Sequence, residues 1–167
     1  MNRAKATNWP VFINSFKRLR ASIDCKDPVI FLEHRWLHNS MGRVEFKYNK
    51  TELQKQPKLR RGNSFTIIAC SYMVIEAIRA IDAIETNYDL KGDLINLRIY
   101  NKNYIDEIVE SSKKSKNLLI VDTANESLSI SHIIYYEISK LKLPINIDIL
   151  TMPDTPEPTS YYLTKNF

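Results

Sequence analysis

The sequence predicts an α/β protein of three layers, in which helices cover both faces of a mostly parallel sheet of about five strands, preceded by a separate helix and strand. Two observations support this fold class. Short apolar runs alternate with longer segments in which apolar residues recur every three or four positions, the pattern of strands that alternate with amphipathic helices. The runs are apolar throughout, which is typical of strands buried on both faces of a parallel sheet.

The first 39 residues predict a helix followed by a short buried strand. Four apolar residues share one face of the helix: Phe12, Phe16, Leu19 and Ile23. Asp27 and Pro28 interrupt the helix, and the run VIFL at residues 29–32 then has the composition of a strand covered on both sides. A helix and one strand cannot bury both of their faces, so we expect a partner chain or a second copy of this chain to cover residues 1–39.

Residues 40–63 predict a linker between two parts of the chain. They are polar and basic, and Pro57 and Gly62 break regular structure. The change in composition marks a domain boundary. The chain is therefore divided into residues 1–39, a linker at 40–63 and a domain at 64–167.

The domain at residues 64–167 predicts strands and helices in regular alternation, as crossovers between parallel strands require. Strands are expected at residues 64–70, 93–99, 117–122 and 145–152. Three helical stripes are expected to face the core: Met73, Ala77, Ile78, Ile81 and Ile84; Ile105, Ile108 and Val109; and Ile130, Ile133, Ile134, Ile138 and Leu141. Ser71 is expected to cap the first of these helices. The proline-rich tail after residue 152 is expected to be extended.

Length and composition narrow the class of protein. The 167 residues suffice for one domain with an appendage. No apolar run approaches the roughly 18–20 residues of a membrane span, and the first residues lack the apolar core of a signal peptide. Cys25 and Cys70 lack a CxxC spacing, which predicts reduced thiols and a cytoplasmic location. Glycine occurs 3 times and never as GxGxxG or a P-loop, so phosphate-binding loops of those kinds are not expected.

The net charge of +5 is unevenly distributed along the chain. Residues 1–62 carry 14 Lys and Arg against 5 Asp and Glu, whereas residues 63–167 carry 10 against 14. A basic region can bind nucleic acid, but these charges are dispersed and no aromatic RNA-binding motif lies among them. A basic α/β nucleic-acid-binding protein is therefore kept as a functional hypothesis that ranks below the two given at the end of this subsection.

Five segments, taken in order, resemble a known family. They read DPVIFLEHRWLHN, GNSFTIIACSYMVIEAIRAI, LINLR, IVESSKKSKNLLIVDTA and LPINIDILTMPDTPEPTS, the last of which continues to LTKNF at residues 163–167. In this order they are similar to the β subunits of thiamine-diphosphate-dependent 2-oxo acid dehydrogenases. Pyruvate and branched-chain 2-oxo acid dehydrogenases are the type members, and transketolases are more distant relatives. The similarity extends over roughly residues 15–167.

The resemblance implies a division of parts. Such β subunits begin with a pyrimidine-binding domain, which holds a catalytic histidine and the glutamate that activates thiamine diphosphate. They continue with a transketolase C-terminal-type domain. This chain corresponds to the last helix and strand of the first domain, at about residues 11–38, and to all of the second. The resemblance thus places no catalytic or cofactor-binding residue in this chain, and thiamine diphosphate is expected in the whole enzyme rather than on this chain alone.

The chain departs from the family in two places. The family has a Gly-rich segment after the strand that ends IVDT, where this chain has ANESLS. The proline that follows the family's IDLR motif is absent after residues 95–98, which read INLR. These positions lie near contact surfaces of the domain, so the chain alone is not expected to be catalytically competent.

His34 and His38 form the first candidate site, because two histidines four residues apart on a helix can chelate zinc. The run HRWLH has no glutamate in the HExxH position, Arg35 adds positive charge, and His132 is on a distant predicted helix. A structural or surface role is therefore favoured over a metal site.

The second candidate follows from the resemblance. SIDCKDP at residues 22–28 matches the loop that holds a structural potassium ion in the family's β subunits, mostly through main-chain carbonyls. The matching positions are Ser22, Ile23, Cys25 and Asp27. The alternative is a simple helix C-terminus and turn before Pro28.

Other polar residues have structural explanations. Ser71 follows a strand as a hydrolase nucleophile would, but CSYM lacks the glycines of GxSxG. Asp122 ends a predicted strand, at the edge where open α/β sheets bind ligands. Without a matching base or glycines, Asp122 and the helical acids Glu76 and Asp82 are favoured as solvated or capping groups.

The tail PDTPEPTS is the most family-like stretch of the chain. A prolyl segment has little conformational entropy to lose on docking. Four of its residues are expected at an interface: Pro153, Asp154, Pro156 and Pro158. The alternative is a segment that wraps its own domain.

The chain is predicted to be the C-terminal part of a β-subunit-like protein. The whole enzyme would be a thiamine-diphosphate-dependent 2-oxo acid dehydrogenase or a transketolase-family enzyme. In it, this chain would act in assembly and in shaping the active site. The alternative is a degenerate paralogue that serves as a scaffold. Expected partners are a thiamine-diphosphate-binding chain, a second copy of this chain or both, and an acyltransferase core in the whole enzyme. No membrane partner is expected.

Overall fold

The computed structural model describes residues 10–26, 28–38, 58–98, 104–156, 160 and 162. Within them the strands are β1 (Lys58–Arg60), β2 (Phe65–Ala69), β3 (Gly92–Asn96), β4 (Asn117–Asn125) and β5 (Asn146–Met152). The α-helices are α1 (Pro10–Ile23), α2 (Met73–Tyr88), α3 (Tyr104–Ser115) and α4 (Ile130–Ser139), and short 3-10 helices lie at Arg35–Leu37 and Glu126–Leu128. None of the helices described is long and apolar enough to cross a membrane.

The described strands form one sheet in the order β1-β3-β2-β4-β5. Strand β2 is parallel to both β3 and β4, and β4 is parallel to β5, whereas the edge strand β1 is antiparallel to β3. Chain order reverses at β2, because β3 lies on one side of it and β4 on the other. Right-handed crossovers then place α2 on one face of the sheet and both α3 and α4 on the other, which confirms the predicted three-layer fold.

Each face of the sheet has its own apolar core. On the α2 side the buried residues are Ile67, Ala69, Val74, Ala77, Ile78, Ile81 and Leu94. On the side of α3 and α4 they are Ile68, Ile95, Leu97, Ile108, Leu118, Ile120, Ile134 and Ile138. Neighbours such as Ile67 and Ile68 thus point to opposite cores, as the alternation of side chains along a strand requires. This explains the apolar runs in the central strands, such as residues 118–121 of β4.

The stripe predicted for α4 is narrower in the structure. Ile134 and Ile138 are buried, but Ile133 and Leu141, which were expected in the same stripe, are exposed. The expectation for these two residues is therefore wrong. Helix α4 lies near the edge of the sheet, where it contacts β4 and β5, so only a narrow face of it is covered.

Strand β1 lies inside the segment predicted as a linker. Lys58 pairs with Ile95 and Arg60 with Leu94 across the ladder to β3. The sheet therefore begins before residue 64, and its fifth strand is this short basic edge. The segment KLR has three residues, of which only Leu59 is apolar, so it is too short to give a periodic strand signal. Pairing with β3 determines its structure. Residues 40–57 of the predicted linker lie outside the described residues.

The first part of the chain differs from its prediction in two ways: helix α1 buries a different face, and the predicted strand after it is absent from the described structure. Helix α1 forms at Pro10–Ile23, as predicted, but Leu19 and Ile23 of its apolar face are exposed, while Arg18 and Ala21 are buried. The side chains of Phe12 and Phe16 lie outside the described residues. The strand predicted at residues 29–32 does not form, because these residues have no strand to pair with in the described part of the chain.

The predicted cap of α2 is also wrong. Tyr72 occupies the N-cap position without a side-chain hydrogen bond, and Ser71 has a left-handed backbone with φ of 52°, so its hydroxyl does not cap the helix. A serine cap is found instead at α4. There the Ser129 side chain accepts a hydrogen bond from the Ser131 N–H at 3.0 Å, which is the usual geometry of an N-cap.

Helix α2 ends at Asp89, whose φ of 53° is left-handed. We expect Asp89→Gly to raise the free energy of unfolding by about 0.5–1 kcal/mol, because glycine adopts this conformation without the steric cost of a Cβ. Urea unfolding monitored by circular dichroism measures the change. Asp89→Ala is the control, since it removes a carboxylate from a helix C-terminus but keeps the Cβ. An equal gain in both variants would assign the effect to charge and contradict the backbone explanation.

A buried carboxylate lies at the amino ends of β2 and β3. Asp93 accepts hydrogen bonds from the Gly62 N–H at 2.8 Å and from the Ser111 hydroxyl. Lys58 Nζ lies 3.3 Å from the same carboxylate. Thr66 of β2 extends the network, since its Oγ1 lies 3.1 Å from Ser111 Oγ. The network joins β1, β2, β3 and α3 at one end of the sheet.

Candidate functional site at the carboxyl ends of the strands

The carboxyl ends of β2 and β4 meet where chain order reverses. In open α/β sheets this position is the usual place for ligands, because the loops from two neighbouring strands diverge there and leave a crevice. Cys70 follows β2, and Asp122 lies in β4. The Cys70 thiol donates a hydrogen bond to Asp122 Oδ1 at 3.6 Å. The two residues are 52 positions apart in sequence, so the adjacency of β2 and β4 brings them together.

The Asp122 carboxylate is engaged by its own chain on both oxygens. Besides the Cys70 contact, Oδ1 accepts the Ala124 N–H at 3.3 Å, and Oδ2 accepts the Ser129 hydroxyl at 2.7 Å. Ser129 is buried, and its Oγ lies 2.7 Å from Ser131 Oγ. Asp122 thus connects the end of β4 to the start of α4. This geometry suits a group that fixes the intervening loop.

Strand β3 contributes a buried amide to the same edge. With its oxygen facing the guanidinium, the Asn96 side chain accepts hydrogen bonds from Arg98 Nε and Nη2, each at 2.7 Å. Asn96 stands at the position of the aspartate in the IDLR motif that the resemblance identified. The pair fixes the direction in which the chain leaves β3.

The segment around His34 reaches this edge through Tyr72. The two rings are stacked, with centroids 5.7 Å apart and an interplanar angle of 23°. Burial raises the pKa of Tyr72, and a hydrogen bond and the negative charge of Glu76 raise it further, so the phenol stays protonated at neutral pH. The stack places residues 28–38 beside the start of α2, next to the carboxyl ends of the strands.

His34 and His38 have separate partners in the structure. His34 stacks on Tyr72, whereas His38 Nε2 lies 3.3 Å from Glu33 Oε2 in an exposed pair. His132 lies on α4 and is exposed. The described part of the chain contains no group of three His, Cys, Asp or Glu side chains placed to hold a metal ion.

The predicted potassium loop begins as a helix C-terminus. The Ser22 hydroxyl donates to the Arg18 carbonyl at 2.8 Å, and the Cys25 N–H donates to the Ser22 carbonyl at 3.3 Å. The last carbonyls of a helix have no partner within the helix, and carbonyl oxygen is the donor type that the prediction requires. Ile23 lies at this terminus, and Asp27 lies outside the described residues. The potassium site stays a prediction.

The proline-rich tail lies on the same edge as Asp122. Pro153, Asp154 and Pro156 are exposed after the end of β5, and Pro158 lies outside the described residues. The Ser127 hydroxyl donates to the Asp154 carboxylate. Asn125 Nδ2 donates to the Thr155 carbonyl at 3.3 Å. The tail is thus joined to the loop after β4, and its role as an interface stays a prediction.

Comparisons with known proteins agree with this fold. The model of the family described as "Transketolase, C-terminal domain" matches residues 54–167. Pyruvate dehydrogenase E1 component subunit beta of Bacillus subtilis (strain 168) is 30% identical over 146 residues, covering 85% of this chain and 45% of that protein. Acetoin:2,6-dichlorophenolindophenol oxidoreductase subunit beta of the same organism is 29% identical over 156 residues, with 89% and 44% covered.

A solved structure has a similar fold. It is described as "Split gene transketolase, inactive beta4 tetramer", and it superposes with a TM-score of 0.60 at 17% identity, covering 76% of this chain and 42% of that chain. The chain therefore spans less than half the length of these relatives. The alignment with the acetoin oxidoreductase subunit covers more of this chain than residues 54–167, so it extends ahead of the C-terminal domain.

Proposed function

Because the chain belongs to the family of transketolase C-terminal domains, we propose that it is the C-terminal part of a β-subunit-like protein of a thiamine-diphosphate-dependent 2-oxo acid dehydrogenase or transketolase-type enzyme. Its role is to support assembly and to shape the active site, while the residues that perform the chemistry lie outside it. One observation carries the proposal: similarity to β subunits extends over 85% of this chain but only 45% of theirs.

The carboxyl edge of the sheet supports this division of labour. Asp122 accepts hydrogen bonds from Cys70, Ala124 and Ser129, so both of its oxygens are held by the chain itself. Asn96 is likewise held by Arg98. Side chains fixed in this way set the shape of a surface against which another chain can pack.

Part of the basic charge is used within the fold. Lys58 pairs with Asp93, and Arg60 pairs with Asp82 at 3.2 Å. These pairs support the assembly hypothesis over the nucleic-acid-binding hypothesis, because the basic residues of β1 act in the sheet. In a whole enzyme of this class, a 2-oxo acid is decarboxylated and its acyl group passes to a lipoyl carrier. An acyltransferase core would be a partner of that whole assembly.

Isothermal titration calorimetry of the isolated chain with thiamine diphosphate and Mg²⁺ tests the proposal. We expect no tight binding, because the proposal places the groups that hold and activate the cofactor outside this chain. The Bacillus subtilis pyruvate dehydrogenase β subunit, assembled in its own enzyme, is the positive control for the conditions. Tight, saturable binding by the isolated chain would contradict the division of parts.

A degenerate scaffold is the second candidate function. It is favoured by the segment 124–129, ANESLS, where the resemblance expects glycines, because Ser127 and Ser129 of this segment bond to Asp154 and Asp122. Activity of the assembled complex separates the two candidates. A complex that forms with a partner but does not decarboxylate 2-oxo acids would indicate the scaffold.

A further inference from the structure

Strand β1 is attached to the described sheet by little main-chain pairing. It has three residues and lies at the sheet edge, with β3 as its neighbour. Lys58 pairs with Ile95 and Arg60 with Leu94, so two steps along β1 match one step along β3, as at a β-bulge. By comparison, β2 pairs with β3 through all five of its residues. The backbone therefore holds β1 less firmly than it holds the central strands.

Contacts with two carboxylates supply further attachment for β1. Lys58 Nζ lies 3.3 Å from Asp93 Oδ2, and the Gly62 N–H donates to Asp93 Oδ1 at 2.8 Å. The two oxygens of one carboxylate thus hold both ends of the segment that contains β1. Between these ends, Arg60 Nη2 lies 3.2 Å from Asp82 Oδ1 of α2. Charged contacts therefore close this segment onto β3 and α2.

The rest of the sheet does not depend on this segment. We call residues 58–62 the β1 clasp. Its apolar residue, Leu59, is half-buried against the core on the α2 side, whereas the fully buried residues of that core come from β2, β3 and α2. With the clasp open, β3 would keep its pairing with β2. Segments with few buried apolar contacts open separately from the folded core.

Opening of the β1 clasp would uncover the edge of β3. Leu94 and Ile95 are fully buried, one in each apolar core, so β3 has the composition of a central strand. An uncovered apolar strand of this kind pairs with strands of other molecules and leads to aggregation. Natural sheets blunt their edges with short strands, with lysine and with bulges. Strand β1 has all three of these features.

We propose that the β1 clasp is a protective device: it opens on an otherwise folded domain, and its closed state keeps β3 from pairing with other copies of this chain. Asp93 is its catch, because the same carboxylate holds both Lys58 and Gly62. The balance between the open and closed states then controls self-association of the chain. This role is independent of the assembly function proposed above.

Native-state hydrogen exchange of the full chain, followed by NMR in low concentrations of urea, tests the opening. The Gly62 amide is the reporter, because its hydrogen bond ends on the Asp93 side chain. The amides of Ile67 and Ile120 are the references, since they lie in the central strands β2 and β4. We expect Gly62 to exchange at least about tenfold faster than the references and to depend much less on urea, because local opening exposes little surface.

Lys58→Met removes the ammonium group but keeps a side chain of similar length. We expect this variant to raise the exchange rate of Gly62 by about tenfold and those of the references much less, because Asp93 then holds the clasp only through the Gly62 N–H. Lys140→Met is the matched control. Lys140 forms an exposed pair with Glu137 on α4, and α4 packs on β4 and β5, so the control should leave the exchange of Gly62 unchanged.

Light scattering at increasing protein concentration tests the protective role. Lys58→Met should aggregate about tenfold faster than wild type, in proportion to its larger open population. Lys140→Met should aggregate at the rate of wild type. The two variants share the exposed apolar residues of the chain, such as Ile30 and Leu32, so a difference between them assigns the aggregation to the clasp.

Two results would overturn the proposal. If Gly62 exchanges at the rate of the references with the same dependence on urea, β1 opens only when the whole domain unfolds. If Lys58→Met opens the clasp but aggregates no faster than Lys140→Met, the closed clasp does not protect the edge of β3. The first result is measured on wild type, so it decides the matter even where a variant fails to fold. Neither result bears on the proposed function, which is tested by cofactor binding and activity.

Discussion

Asp93→Asn is expected to lower the free energy of unfolding by about 2–3 kcal/mol at pH 7. Asp93 is buried, and its carboxylate accepts hydrogen bonds from the Gly62 N–H and the Ser111 hydroxyl beside Lys58 Nζ. An amide of the same shape has one acceptor oxygen and no charge, so it leaves the half-buried Lys58 without a counter-ion. Urea unfolding monitored by circular dichroism measures the loss.

The same carboxylate predicts how stability depends on pH. Burial alone would raise the pKa of Asp93, but the bonds from Ser111 and Gly62 and the charge of Lys58 outweigh it and lower the pKa. The folded state thus favours the ionised form. The stabilisation is present above the unfolded pKa of about 4 and is lost as the pH falls through the lower folded pKa.

Wild type should therefore lose stability more steeply below about pH 4 than Asp93→Asn does. Asp82→Asn is the control, because Asp82 forms an exposed pair with Arg60, and exposed pairs contribute about 0–1 kcal/mol. Parallel stability curves for wild type and Asp93→Asn across this range would show that the carboxylate is not a source of the pH dependence.

Gly62→Ala is expected to lower the free energy of unfolding by about 3 kcal/mol. A Cβ at Gly62 would lie 2.2 Å from the carbonyl carbon and oxygen of Lys91 and 2.5 Å from the Gly92 nitrogen. These are main-chain atoms of the segment that enters β3, so no side-chain rotation relieves the clash. Strand β1 would have to move, and the Gly62 N–H would leave Asp93.

Asn63→Ala is the matched control for this substitution. Asn63 is exposed, and its main-chain N–H bond to the Lys91 carbonyl at 3.0 Å does not depend on the side chain. We expect a change of less than about 0.5 kcal/mol, measured in the same urea titration. If Gly62→Ala were as stable as Asn63→Ala, close packing of the two segments would not be a constraint on this fold.

The central strands could be predicted from sequence because their side chains enter apolar cores on both faces of the sheet. In β2, Ile67 and Ile68 point to opposite cores, and the resulting run is visible without knowing its neighbours. Strand β1 gives no such signal. Its residues Lys58 and Arg60 are basic, and they form a strand because β3 offers an edge to pair with. Pairing of this kind depends on the order of the strands in the sheet, and the spacing of apolar residues along the sequence does not reveal that order.

The prediction for the first part of the chain failed for a related reason. An apolar run indicates that the side chains of a segment are to be buried, but it does not indicate which element or chain buries them. Residues 29–32 have the composition of a buried strand and are exposed in the described structure. At the carboxyl edge, Asp122 was recognisable from its position at a strand end. Its contact with Cys70 was not, because it requires the order of β2 and β4.

Residues 29–32 also bear on how the amount of this chain is controlled in the cell. An exposed apolar segment that can accept strands is a site for aggregation, and exposed segments of unassembled chains are recognised by chaperones and proteases. While residues 29–32 stay exposed, the chain is therefore open to removal, whereas any contact that covers them would protect it.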